Sequence, residues 1–319
     1  MHNAQLIHFS AIGITVVLPI IGVAVGQGFA SSMATKALNA QPAAHGAINR
    51  LFMVALALTE TAAILSTLMA AVMFMNPSST TGSSLAHIGS AIALAIPAAF
   101  IGGISAYPIQ AALKSASRQP LISNKIFNLL LLSISMAQTP VIFGLVTGWL
   151  LIQQAGEFTG MANGLRLLAS GLALGLGSIG PSAGLAIFGK QACDGVGKNR
   201  EAYDHILSFT FISQAIIETP ILLSLVVAML LLFFGILPPE APLTDGFVCI
   251  AAALAGGFTT FGVGLSSGRT ARAACKGFVE NLEQYPMISR TSLLAQTLID
   301  TNAVYGLIVA IMLIMQTIH

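Results

Sequence analysis

Apolar residues fill this chain in eight long blocks separated by short polar breaks. A spanning helix needs roughly 20 apolar residues, and the blocks meet that at about 6–37, 47–76, 84–113, 124–154, 165–193, 204–236, 245–275 and 289–318. The pattern predicts eight transmembrane helices paired into four hairpins. Several blocks are longer than the hydrocarbon core is thick, which predicts helices that project beyond it. The first block has no basic segment before it and is too long for a secretory leader, so it is expected to be a membrane span.

Four polar residues interrupt the even-numbered blocks: Glu60 in LALTETAAIL, Gln138 in SMAQTPVIFG, Glu218 in AIIETPILLS and Asp300 in TLIDTNAVYG. Each is followed by a threonine: Thr61, Thr139, Thr219 and Thr301. They stand 78, 80 and 82 residues apart, the mark of a fourfold internal repeat. Four units are expected, at 1–78, 79–158, 159–240 and 241–319. Pro42, Pro120 and Arg200 each lie eighteen residues before the polar residue of their unit. The fourth break is longer and is expected to lose that register.

Composition agrees with the pattern. Hydrophobic residues make up 55% of the 319 and charged residues 8%, against about 25% charged in a soluble domain. Net charge is +2, which gives no reason to expect nucleic acid. Twelve of the thirteen Lys and Arg residues lie in alternate breaks, and Arg166 is the exception. Basic residues gather in cytoplasmic loops, so these breaks are expected to face the cytoplasm and both termini the other side. Cys193, Cys249 and Cys275 have no metal-ligand spacing and are expected to be packing residues.

The two helices of each unit differ. The first is rich in glycine, as at Gly22 and Gly26, Gly102 and Gly103, Gly171 and Gly184, and Gly264 and Gly268. Small residues at helical spacing let backbones approach in lipid, which predicts a tight inner layer. Pro19, Pro97 and Pro181 are expected to kink these helices. The second helices, bulkier and bearing the buried polar residue, suit an outer layer.

A glycine-rich helix, a polar Gln-Pro loop and a helix with a mid-membrane carboxylate together resemble the rotor-ring proteolipid, or c-subunit, of F-type or V/A-type rotary ATP synthases and ATPases. GVAVGQGFAS, NAQPAAHG and LALTETAAI carry the resemblance in the first unit. SRQPLISN carries it in the second and LIDTNAVYGLIVAIML in the fourth. The Arg-Gln-Pro loop looks F-like, whereas fused hairpins and a lost carboxylate look V/A-like. The resemblance implies an all-α, two-layered ring of copies of this chain, with Glu60, Glu218 and Asp300 carrying the ion. It implies no catalysis by this chain alone. The implied partners are a stator protein with an essential arginine, central-stalk proteins and membrane lipid. The stalk would dock on Gln41 and Pro42 and on Arg118, Gln119 and Pro120. Tyr305, five residues past Asp300, also matches the family pattern.

The chemistry of the residues is consistent with this. An ionised carboxylate at bilayer depth is costly, so such residues mark ion paths or pair with a partner. A neutralised one can move through lipid. Gln138 can hydrogen-bond but cannot titrate, so the second site is expected to be degenerate. Sodium needs several oxygen ligands. The first unit offers Gln27, Glu60, the Leu58 carbonyl and a threonine hydroxyl. In the third unit Leu185 stands where Gln27 would align, and the fourth offers only Ser266 or Ser267. Protons are therefore the expected ion, with sodium the alternative, and no resident cofactor is expected. The rival class is a self-contained secondary transporter with its acids around one substrate site. Such proteins normally show inverted repeats and paired broken helices. A pure membrane scaffold would leave the three acids unexplained.

Overall fold

The computed structural model describes residues 2–156, 160–238 and 240–317. The expected unit boundary at 158/159 lies outside them. Among the described residues the regular elements are all helical. The first span is α1 (His2–Ala40) and the second α2 (His45–Met75). The third comprises α3 (Thr81–Ile104) and α4 (Ala106–Arg118), and the fourth α5 (Ser123–Ala137) and α6 (Thr139–Ala155). The fifth comprises α7 (Met161–Gly177) and α8 (Ile179–Lys198), and the sixth is α9 (Tyr203–Phe233). The last two are α10 (Leu243–Glu280) and α11 (Tyr285–Gln316). All eight are long and apolar enough to cross a membrane.

The spans run 34 to 38 residues. At about 1.5 Å per residue that is over 50 Å, well beyond a hydrocarbon core of about 30 Å. The segments rich in Lys and Arg belong to these helices. What reads in sequence as a long polar loop is helix, because Lys, Arg, Gln and Ala are good helix formers once outside lipid. Only Gln41, Gln119, Asn199 and Asn281 separate the paired spans, each leading into one 3₁₀ turn. The fourth break does not lose register, contrary to expectation. Leu282 opens its turn eighteen residues before Asp300, and the extra length of that break is absorbed into α10.

The first helices of the units lie side by side: α1 on α3, α3 on α7, α4 on α8, and α10 on both α7 and α8. The second helices form another row. α2, α5 and α9 each pack on the first helix of their own unit and of the next, while α11 packs on α10 and α9. Glycine makes the first row possible. Gly26 lies against the Gly102 backbone, Gly171 against Gly89, and Gly184 against Gly264 and Gly268. At these places a Cβ would overlap main-chain atoms of the neighbouring helix, so the tight layer expected from the glycine pattern is present. Gly171→Val should therefore destabilise the protein by about 1–3 kcal/mol through overpacking. The check is a lowered unfolding temperature of the detergent-extracted protein.

The largest apolar cluster sits near the basic end and includes Phe188, Phe209 and Phe278 in edge-to-face contact. Cys193 and Cys275 are buried in it and Cys249 in a second cluster, all free, as packing residues should be. Pro19 and Pro97 lie inside continuous helices. Interruptions come at Ser178, just before Pro181 as expected, and also at Ser105 and Gln138, just before Pro108 and Pro140. Each of those prolines lacks the N–H that would continue the ladder. The Gly177 carbonyl, four residues before Pro181, accepts a bond of 3.3 Å from Thr260 on the adjacent helix. Ser105 and Ser178 occupy non-equivalent places in their units, so they are not a matched pair.

Arg166, the basic residue away from the basic end, is fully buried. Its guanidinium donates to the Leu231 and Leu232 carbonyls at 2.6 and 2.8 Å and to Asn163 at 3.0 Å. It thereby caps carbonyls at the end of α9 that have no intrahelical donor.

Candidate ion-carrying sites

Each candidate acid lies in a second helix at the same register, and the packing around it differs by unit. Glu60 is exposed in the middle of α2 at the flank of the chain. It opens into a groove of about 600 Å³ between α1 and α2 that Gln27 also lines, with Ile20, Val23 and Ala63. The two polar residues expected together are therefore together. Leu58 and Thr61 do not line that groove. The Leu58 carbonyl faces the second unit and accepts from the Thr61 hydroxyl at 2.6 Å and from the Gln138 amide at 3.3 Å. The expected sodium-like set is thus split between two places.

Gln138 sits at the joint between α5 and α6, where its carbonyl accepts from both Val141 and Ile142. Its amide gives the Leu58 carbonyl a donor from the second unit. Glu218 is half-buried in α9, with the Thr139 hydroxyl of the preceding unit near its carboxylate. Asp300, half-buried in α11, accepts from Ser267 of α10 at 3.2 Å. Thr219 and Thr301 are exposed, and their hydroxyls donate to Ala215 and Leu298 of their own helices. Tyr305 is exposed on α11 and takes no part in the Asp300 hydrogen bond. Leu185 is buried in the apolar core and offers no ligand.

Two residues that sequence reasoning passed over belong to this neighbourhood. Gln214 and Gln296 lie four residues before Glu218 and Asp300, one turn toward the basic end on the same helix face, and both are fully buried. The Gln296 amide donates to Ser213 and Ser292 at 3.3 and 3.1 Å. The signal was legible as QAIIE and QTLID. The first two units have Leu56 and Ile134 at that place.

The basic end is the charged face. Asp194 pairs with Lys198 at 2.7 Å and with Arg118 at 3.4 Å. Pro42 is exposed, and Gln119 turns toward the next unit. Leu121, at the crest of the second turn, is 94% exposed. Among the described residues no three His, Cys, Asp or Glu side chains gather as a metal cluster. The three acids occupy three separate units.

Comparison with known proteins agrees with this repeat. The family model for the ATP synthase C-subunit matches residues 168–231 and again 250–313, the third and fourth hairpins. The ATP synthase c-subunit of Dehalococcoides mccartyi is 39% identical over 72 residues, which is 23% of this chain and 95% of that protein. That of Chloroflexus aurantiacus is 39% identical over 75 residues, 24% of this chain and 97% of its own length. The chloroplastic c-subunit of Emiliania huxleyi is 38% identical over 73 residues, covering 23% and 89%. This chain belongs to the ATP synthase c-subunit family. It is an integral, multi-pass member, with eight spans where each of these relatives matches about a quarter of its length. The segments matched by the family model are the last two hairpins. Both of those retain a carboxylate at the common register.

Proposed function

We propose that this chain is a rotor component of an ATP synthase or related rotary ATPase, and that copies of it close into a ring. Protons ride on Glu60, Glu218 and Asp300, while Gln138 holds a structural place without an ion. The observation that supports this reading is three acids at one register in the first, third and fourth hairpins, with no cluster of three acids among the described residues. A secondary transporter would gather them around one substrate site. A ring moves each past lipid while neutral and unloads it at a stator that supplies water paths and an arginine.

The choice of protons rests on how few protein oxygens surround the acids. Thr139 serves Glu218 and Ser267 serves Asp300, whereas sodium needs a fuller shell. Every working site on one rotor must carry the same ion, so the poorest shell limits the choice. The basic end would face the cytoplasm and meet the central stalk, with Pro42, Arg118, Pro120 and exposed Leu121 offered there. ATP chemistry would belong to other proteins of the complex.

Glu60 explains why a single copy is incomplete. At two of the three internal boundaries the polar residue of one unit meets a group of the unit before it, as Gln138 meets Leu58 and Glu218 meets Thr139, whereas Asp300 meets Ser267 of its own unit. Glu60 lies in an open groove between α1 and α2, with no such partner beside it among the described residues. Native mass measurement of the mildly extracted protein tests the reading. Multiples of the whole chain are expected, and three chains would give twelve hairpins. A monodisperse monomer would overturn it.

A further inference from the structure

At two of the three internal boundaries the hairpins are also linked at their turns. Gln41, Gln119, Asn199 and Asn281 are the single residues between paired spans, 78, 80 and 82 apart, and all four carry a side-chain amide. Their φ values agree, at −143°, −135°, −135° and −141°, with ψ between 73° and 102°. Each leads into a 3₁₀ turn of three residues.

Two of these amides bridge to the next unit. Gln119 Nε2 donates to the Gly197 carbonyl at 3.0 Å, and Asn199 Nδ2 donates to the Val279 carbonyl at 3.2 Å. Both acceptors stand two residues before the next unit's own amide, in the last turn of a first helix. Carbonyls there lack intrahelical donors, so the neighbour's amide satisfies what the helix cannot. At the first boundary Arg50 and Asn124 join the adjacent second helices by a side-chain bond.

We propose that Asn281 of one copy donates its side-chain amide to the Asn39 backbone carbonyl of a second copy, continuing this row across the copy boundary. Asn39 stands two residues before Gln41, in the last turn of α1, the place that Gly197 and Val279 hold in α8 and α10. Asn39 and Asn281 are both exposed, in the first and last hairpins. The contact is head to tail, the kind that propagates around a ring. It also sets the direction, because the flank bearing Asn281 and Thr301 must meet the flank bearing Asn39 and Glu60. The inference rests on the ring reading above and specifies the contact that closes it.

The test is disulfide trapping in membranes, with Asn39→Cys, Asn281→Cys and the double variant oxidised by copper phenanthroline. Cys193, Cys249 and Cys275 are buried and should not compete. The double variant is expected to give a ladder of covalent multimers on a non-reducing gel, and each single variant only monomer. Dimers from a single variant would indicate a two-fold face and overturn the contact. No ladder, with multimers still present by native mass, would overturn this contact and leave the rotor reading standing. No multimers in the unmodified protein would overturn the rotor reading itself. A second measurement avoids reliance on cysteine. Asn281→Leu should lower the temperature at which detergent dissociates the multimer, while Asn281→Gln should restore it, since Gln119 does the same work in the second turn. Equal temperatures for Asn281→Leu and the unmodified protein would overturn the proposal.

Discussion

Glu218→Gln and Glu60→Gln should each nearly abolish ion-coupled ATP synthesis in vesicles carrying the whole complex, and Asp300→Asn should impair it less. The amide keeps the size and hydrogen bonding of the acid but cannot release an ion. Position relative to Gln138 sets the order. The natural gap between carriers runs from Glu60 past Gln138 to Glu218. Losing either neighbour of Gln138 widens that gap by one more hairpin, whereas losing Asp300 opens a second gap of the size already tolerated. The drive falls in each case. One charge crossing 100 mV supplies about 2.3 kcal/mol, so three carriers per chain supply about 7 kcal/mol and two supply about 4.6. Assembly should be untouched, which native mass checks. Normal synthesis by all three variants would remove these acids from the mechanism.

A hydrophobic carbodiimide should modify Glu60, Glu218 and Asp300 and spare Gln138, with peptide mass spectrometry reading each site. The reagent attacks the protonated acid in an apolar setting, so labelling reports which acids hold a proton within reach of lipid. It should decline as pH rises and the acids lose that proton. Sodium separates the two ion choices. For a proton rotor, millimolar sodium at fixed pH should leave Glu218 and Asp300 labelled, because one hydroxyl each makes no cation shell. Glu60 shares its groove with Gln27 and is the site most open to protection. Protection of all three would make sodium the carried ion. Labelling of none would sink the idea of protonatable mid-membrane acids.

Much of the fold could be read from hydropathy and spacing. Lipid cannot satisfy a backbone N–H or C=O, so a long apolar block in a membrane has little choice but to be a helix. Repetition at nearly constant intervals then made the hairpins and the equivalence of Glu60, Gln138, Glu218 and Asp300 plain. The basic segments were misjudged because their polarity suggested loops. Polarity marks only where lipid ends, and helix propensity carries the spans onward to Gln41, Gln119, Asn199 and Asn281. Helices break beside Pro181, as expected, and also beside Pro108 and Pro140, which were not singled out. A proline's effect depends on which carbonyl it orphans and what else can bond there, as Thr260 does for Gly177.

The sequence by itself determined the all-helical membrane class, the fourfold repeat and which residues could carry a proton, since these follow from residue chemistry at fixed intervals along one chain. Only the tertiary structure decided what each acid meets. The Leu58 carbonyl went to Gln138 instead of to Glu60, Thr139 went to the acid of the following unit, and Ser267 went to Asp300. The turn amides crossed to neighbouring hairpins in the same way. Those pairings join residues about 33 to 80 positions apart across helix interfaces. They depend on how closely glycine lets the backbones approach, a distance that no single helix encodes.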